Sequence, residues 1–320
     1  MNTAPAAVRK INPSDREDIL EISSKIWGGN DYLPYVLDEW LASKKCHTYG
    51  VEVDGRIVAI GNLRLVDGNR TAWMEGLRVH PNYRKRGYAN LLTQHFLNLG
   101  ETLNVRRFRY TTGGNNRVSL KLARKAGFKR LLKMSAFWYE EVKSIAEPTL
   151  SHTKVKEATS QASYEMLKTE KSLIPCDVLM YDWKAVEANL IGFKVVGKDH
   201  GFYVTKKGAK LQALSLGHIR PGSERGSWSF TVYASDEDSF STHYFHHMNT
   251  ALGKDLSSMA CTCQTQFAAV LKERKDLPKS RYNIQLVLLE KQIGQNAQAP
   301  PSQTRKAKRS LQRGKDAKKR

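Results

Sequence analysis

The chain has 320 residues, 52 Lys+Arg against 31 Asp+Glu, and a formal net charge of +21. At roughly 100–200 residues per domain, that length accommodates about two domains, and 40% apolar with 9% aromatic residues is the composition of a chain that builds a core. Four cysteines are too few for a disulfide framework, no apolar run approaches the roughly 18 residues of a membrane span, and the N-terminus turns charged before an apolar leader segment forms. These features lead us to expect a soluble cytoplasmic protein with reduced thiols and no membrane partner.

The charge is local. Residues 78–133 carry fourteen Lys/Arg and one acid, Glu101, and residues 294–320 carry nine and one acid, Asp316. These net charges of +13 and +8 account for the whole +21, so a uniformly basic nucleic-acid coat is excluded.

In chain order, Val8–Ile11 is expected as a strand, and Ser14 with Glu17 as a capping box opening a helix that buries Ile19, Ile22 and Ile26. Gly28-Gly29-Asn30-Asp31 breaks that helix, and Pro34 suits the first turn of a second over 35–43. Strands are predicted over 47–53, 56–66 and 71–79, punctuated by Asp54-Gly55 and Asp67-Gly68. A helix over 87–101, a strand over 107–112, a helix over 116–126 closed by Gly127, and strands over 129–133 and 135–142 complete a first domain, 1–142. This is an α/β (α+β) layered architecture.

Residues 143–162 read as a linker, and 163–293 as a second α/β domain. Its predicted elements are helices over 164–173 and 182–191, then strands over 194–197, 201–205, 211–216 and 228–233. A helix over 239–252, a strand over 258–262, a helix over 264–273 and a strand over 283–289 follow. The element order resembles that of the first half, which fits a diverged repeat. Residues 294–320 read as a disordered basic tail, which offers a nuclear-localisation signal or affinity for a polyanion.

The stretch from Val79-His80-Pro81 to Arg84-Lys85-Arg86-Gly87-Tyr88-Ala89 joins a strand to a helix start. Gly87 and Ala89 let backbone amides approach a ligand, the helix N-terminus adds its dipole, and the basic side chains suit a pyrophosphate. This Arg-x-x-Gly-x-Ala pattern resembles the acyl-CoA-binding motif of the GCN5-related N-acetyltransferase (GNAT) superfamily. Asn116-x-x-Ser119-x-x-Leu122, followed by Gly127-Phe128, is similar to that family's second motif.

The resemblance implies a central mixed sheet flanked by helices, and acetyl-CoA as co-substrate without a metal. It implies that Leu77 and Val79 offer backbone groups to the pantetheine, that Arg84, Lys85, Arg86, Gly87, Tyr88 and Ala89 cradle the pyrophosphate, and that Asn116 and Ser119 flank the thiol end. Where the family carries a tyrosine that protonates the departing thiolate, this chain has Ala123. The family's mechanism, direct attack of a neutral amine on the thioester, requires a base and an oxyanion donor at a bulge in the fourth strand. Glu75 on that strand is the candidate base.

Trp27-Gly28-Gly29-Asn30-Asp31-Tyr32-Leu33-Pro34, Trp40-Leu41 and Glu75-Gly76-Leu77-Arg78-Val79 resemble the histidine N-acetyltransferases of vertebrates. The resemblance implies a small-molecule amine or amino-acid acceptor such as L-histidine, with Asp31 holding an ammonium or imidazole and Tyr32 stacking on a ring. The alternatives are a protein lysine or N-terminal acetyltransferase, and a non-catalytic acyl-CoA or nucleic-acid binder. His243, His246 and His247 on a predicted helix, and Cys261-Thr262-Cys263, have spacings seen in metal sites, but without a second cysteine pair or a His-Glu-x-x-His they are expected as ordinary packing or surface residues. In the second half, Asp236-Glu237-Asp238 stands where a repeat would place the pyrophosphate loop, and three carboxylates repel that ligand.

Overall fold

A computed structural model describes residues 5–29, 31–140, 142, 154–220, 226–256, 258–273 and 280–293. The first half contains β1 (Ala7–Lys10), α1 (Arg16–Ser24), α2 (Leu33–Ala42), β2 (Cys46–Val53), β3 (Arg56–Val66), β4 (Thr71–Val79), α3 (Tyr88–Thr102), β5 (Arg107–Gly113), α4 (Arg117–Lys125) and β6 (Lys129–Tyr139). The second contains β7 (Lys156–Ala158), α5 (Ser160–Lys168), β8 (Val178–Tyr181), β9 (Lys184–Glu187), α6 (Leu190–Val196), β10 (Gly201–Lys207) and β11 (Lys210–Arg220). It continues with β12 (Ser227–Ala234), α7 (Glu237–Gly253), β13 (Ser258–Gln264), α8 (Ala268–Glu273) and β14 (Tyr282–Gln292).

Twelve of these strands form one mixed sheet in the order β1-β2-β3-β4-β5-β14-β6-β13-β12-β11-β10-β7. The order is symmetric about the β14–β6 pair. β1 to β5 match β7, β10, β11, β12 and β13 in turn, and each half hands its last strand to the other. β14 lies between β5 and β6, while β6 lies between β14 and β13. Both sets keep one parallel pair, β4 with β5 and β12 with β13. The two halves thus repeat one architecture and share a single sheet.

Alternation along the central strands divides the core by face. Leu132, Met134 and Ala136 of β6 join the cluster under β8–β9, α5 and α6, whereas Phe137 and Tyr139 join the cluster under α7 and α8. Val287 and Leu289 of β14 pack with α3 and α4, while α1 and α2 pack on Ile57 and Ile60 from the opposite side.

Several predicted elements are corrected. The segment expected as a helix over 182–191 contains the second strand of the β8–β9 hairpin. Val178, Leu179 and Met180 are a fully buried run that covers the sheet, and Asp182 turns the chain with φ 49°. The strand expected over 194–197 belongs to α6, capped by Asn189, which accepts from the Gly192 amide at 3.0 Å. The strands expected over 129–133 and 135–142 are one continuous strand, β6, because β14 and β13 pair along its two edges. At the N-terminus the capping box is Asn12 with Asp15, not Ser14 with Glu17. Residues 156–158 of the expected linker form β7, whereas its residues 143–153 and the tail 294–320 lie outside the described residues.

Candidate active site

The site grows from one irregularity in β4. Register along β3 pairs Asn62 with Glu75 and Ile60 with Arg78, so Gly76 and Leu77 together oppose a single residue, Gly61. This is a bulge, and Gly76 sits in it at φ 67°. A Cβ there would lie 2.3 Å from Trp40 of α2, so only glycine serves both the backbone and the packing. Beyond Trp73 and Arg109, β4 and β5 no longer pair, although β14 follows β5 through Gly113. The two strands part between residues 74–79 and 110–113, which opens a cleft with half-buried Leu77 and Val79 on its β4 wall. In the second half β12 and β13 stay paired from Ser227 to Val232, and β11–β12 carries no bulge among the described residues. No such cleft opens there among the described residues.

At the top of β4 the chain passes through a short 3-10 turn, Pro81–Tyr83, into the basic loop. Lys85 and Gly87 adopt φ of 63° and 89°, the left-handed conformations of a tight backbone turn. Among the described residues no side chain caps α3, so the amides of its first turn, Tyr88, Ala89 and Asn90, are offered at the positive end of the helix. Arg84, Lys85, Arg86 and Gly87 are exposed, and the Arg86 guanidinium lies 5.1 Å from the Tyr83 ring centroid. A cavity of about 420 Å³ adjoins them, lined by Val53, Asp54, Asn82, Tyr83, Arg86 and Tyr88. This arrangement can hold a pyrophosphate. The corresponding helix of the second half, α7, is capped by Asp236, which accepts from the Ser239 amide at 2.8 Å, and carries Glu237 and Asp238 in its first turn. That terminus rejects anions.

On the other face of the cleft, Glu75 Oε1 accepts from Asn62 Nδ2 at 2.8 Å and from Arg64 Nε at 3.0 Å. The Glu75 side chain is 11% exposed. Asp31, whose side chain is fully buried, accepts from Arg78 Nε and Nη2 at 3.0 Å each. Both Asp31 oxygens thus meet Arg78, whose guanidinium carbon lies 5.3 Å from the Tyr32 ring centroid. Tyr32 is 38% exposed as a whole, yet desolvation around its hydroxyl pushes that group up to about 12, with Arg78 opposing and Glu75 and Asp31 reinforcing the shift. The structure therefore groups Glu75, Asp31 and Tyr32 around the bulge.

Asn116 caps α4, accepting from the Ser119 amide at 3.0 Å. Ala123 is buried on the inner side of that helix. One turn before it, the Tyr110 hydroxyl donates to the Ser119 carbonyl at 3.4 Å, and burial raises the Tyr110 pKa. Sequence reasoning missed Tyr110, Arg64 and Asn62. The period of β5 alone signals that Tyr110 shares a face with Phe108, but only the register places Asn62 opposite Glu75.

A bulged fourth strand, a cleft at the β4–β5 edge and an uncapped helix behind a basic loop define an acetyltransferase-type fold. Residues 16–128 match the profile described as "Acetyltransferase (GNAT) family". A histidine N-acetyltransferase of Xenopus tropicalis is 39% identical over 83 residues, which is 26% of this chain and 26% of that protein. One of Scomber australasicus is 33% identical over 78 residues, 24% of this chain and 23% of that protein. The matched region thus spans about a quarter of these curated relatives.

A GCN5-related N-acetyltransferase from Sphaerobacter thermophilus superposes with TM-score 0.61 at 12% identity, covering 90% of this chain and 95% of that one. A tandem GNAT protein from the clavulanic acid biosynthesis pathway gives 0.58 at 13%, covering 91% and 99%. At such identities the superpositions show the fold, and they extend it through the second half.

Proposed function

We propose that the protein is an N-acetyltransferase that moves the acetyl group of acetyl-CoA to the amino group of a small acceptor, a free amino acid such as L-histidine. The observation that carries this reading is the bulge at Gly76 beside the opened β4–β5 cleft, in line with the amide-lined loop before α3. Leu77 and Val79 offer backbone groups to the pantetheine. Arg84, Lys85 and Arg86, with the amides of Gly87, Tyr88 and Ala89, hold the pyrophosphate.

The acceptor amine attacks the thioester carbonyl as a neutral nucleophile, and Glu75 takes its proton directly or through water. Arg64 Nε donates to Glu75 Oε1 and, with Asn62, fixes the orientation of the carboxyl group. A backbone amide of the bulge stabilises the oxyanion. Asn116 orders the start of α4, and Ser119 with the Tyr110 hydroxyl stands at the thiol end, where Ala123 offers no proton. Asp31 acts through Arg78, holding it at the acceptor side where Tyr32 presents its ring. The histidine N-acetyltransferase relatives and the +13 charge of the cofactor half support a carboxylate-bearing acceptor over a basic peptide.

The test is acceptor-dependent release of CoA thiol across the twenty amino acids, beside lysine-rich and N-terminal peptides. Turnover with a free amino acid supports the reading, and turnover confined to peptides overturns it.

A further inference from the structure

The tip of the β8–β9 hairpin brings together three side chains that the proposed reaction does not use. Asp182 lies in the turn after β8, His200 directly before β10, and His218 on β11. His218 Nε2 and Asp182 Oδ2 are 2.9 Å apart, and the His200 and His218 rings stack with centroids at 4.0 Å and planes at 28°. One donor atom from each residue lies within 4.8 Å of the other two. Donors bound side by side on one ion, each at about 2.0–2.2 Å, stand roughly 3 Å apart, so the spacing suits a shared centre.

The chemistry of each donor agrees. Burial alone would raise the Asp182 pKa, but Arg220, His218 and Ser229 overcome it and hold the carboxyl well below the usual range. Arg220 meets both carboxylate oxygens, Nη2 at 2.9 Å from Oδ1 and Nε donating to Oδ2 at 3.3 Å; Ser229 Oγ donates to Oδ1, and His218 Nε2 shares Oδ2. Neither ring nitrogen of His200 makes a well-formed hydrogen bond, and burial pushes this imidazole down to about 4 despite the nearby Val196 backbone. The Asp182 and His218 side chains each retain 16% exposure, so an ion can enter.

We propose that Asp182, His200 and His218 form a binding site for a divalent first-row transition-metal ion, Zn²⁺ foremost. Two imidazoles and one carboxylate favour such ions over Mg²⁺ or Ca²⁺, which take oxygen donors. The ion replaces the His218 Nε2 proton, which moves to Nδ1, and Arg220 orients the carboxylate from behind. Three protein donors leave one position open to water.

The test is titration of the untagged full chain with Co²⁺ at pH 7.5, followed by visible d–d absorption and equilibrium dialysis. One equivalent should bind, Zn²⁺ should displace it, and Zn²⁺ alone should raise Tm. His200→Ala and Asp182→Asn should each weaken binding by about tenfold or more, while Cys176→Ser and His246→Ala leave it unchanged. Circular dichroism identifies a variant that fails to fold, and His200→Gln then takes its place. Absence of saturable Co²⁺ binding, or full binding in folded His200→Gln, overturns the proposal. None of these readouts depends on acetyl transfer.

Discussion

Residues 1–142 expressed alone should not fold stably, although they contain every element the first half contributes to its own sheet. The missing part is β14, which lies between β5 and β6. Leu286, Val287, Leu288 and Leu289 are at most 4% exposed. At about 1.5–3 kcal/mol for each buried aliphatic side chain, their loss removes roughly 6–12 kcal/mol. A whole domain has only about 5–15 kcal/mol of net stability. Glu290 also pairs with the buried Arg109 guanidinium at 2.7 Å, and its loss leaves only Asp67, at 3.9 Å, to balance that cation, a further cost of up to about 3–5 kcal/mol.

The assay is thermal and urea unfolding by circular dichroism on three chains: the full protein, residues 1–142, and residues 1–142 joined to 280–293 through a Gly/Ser linker. The full protein and the linked chain should unfold cooperatively, and the short chain should show no cooperative transition. A short chain with the midpoint of the linked one would refute the strand exchange as a source of stability.

Further outcomes follow from the site and the core. Glu75→Gln should lower kcat by about 10²–10⁴-fold with acceptor KM little changed, and an unchanged kcat would remove the proposed base. Asp31→Ala should raise acceptor KM and lower Tm together, because Arg78 loses the carboxylate that fixes it; Asp31→Asn retains the shape and should recover Tm more than KM. Trp228 Nε1 donates to His247 Nδ1, and the Ser215 hydroxyl lies 2.7 Å from His247 Nε2 and 2.6 Å from His243 Nδ1. Burial pushes His243 down to about 3 and His247 well below its ordinary value.

An imidazole lowered in the folded state stabilises fully above its unfolded value of about 6.5, and that contribution is lost as pH falls toward the folded value. The urea midpoint should therefore drop between pH 6.5 and 5, at about 1.4 kcal/mol per pH unit for each such histidine. A flat midpoint over that range would contradict the buried neutral pair.

The local elements of the first half were legible because each carries its own signal: strands at 47–53 and 56–66 end at Asp-Gly turns, the strand at 71–79 runs to Pro81, and the basic loop announces a helix start. The β8–β9 hairpin was not, since Val178–Met180 is apolar on both sides and reads equally as buried helix or strand. β6 looked like two strands because pairing partners on both its edges come from residues at least 120 positions away. The same distance problem hid much of the site. Glu75, Leu77 and Val79 stand out in sequence, whereas Asp31 meets Arg78 across 47 positions and Asn62 meets Glu75 only through a shifted register. The repeat was visible as element order, but the exchange of last strands rests on long-range pairing that no local pattern encodes.

The proposed acetyl transfer to a free amino acid at the Gly76 bulge is tested by mass-spectrometric detection of acetylated product from acetyl-CoA and L-histidine, with the full chain and with Glu75→Gln in parallel. An N-acetylated amino acid should form with the first and almost none with the second. Product formed equally by both, or no acetylated amino acid from any of the twenty, would contradict it.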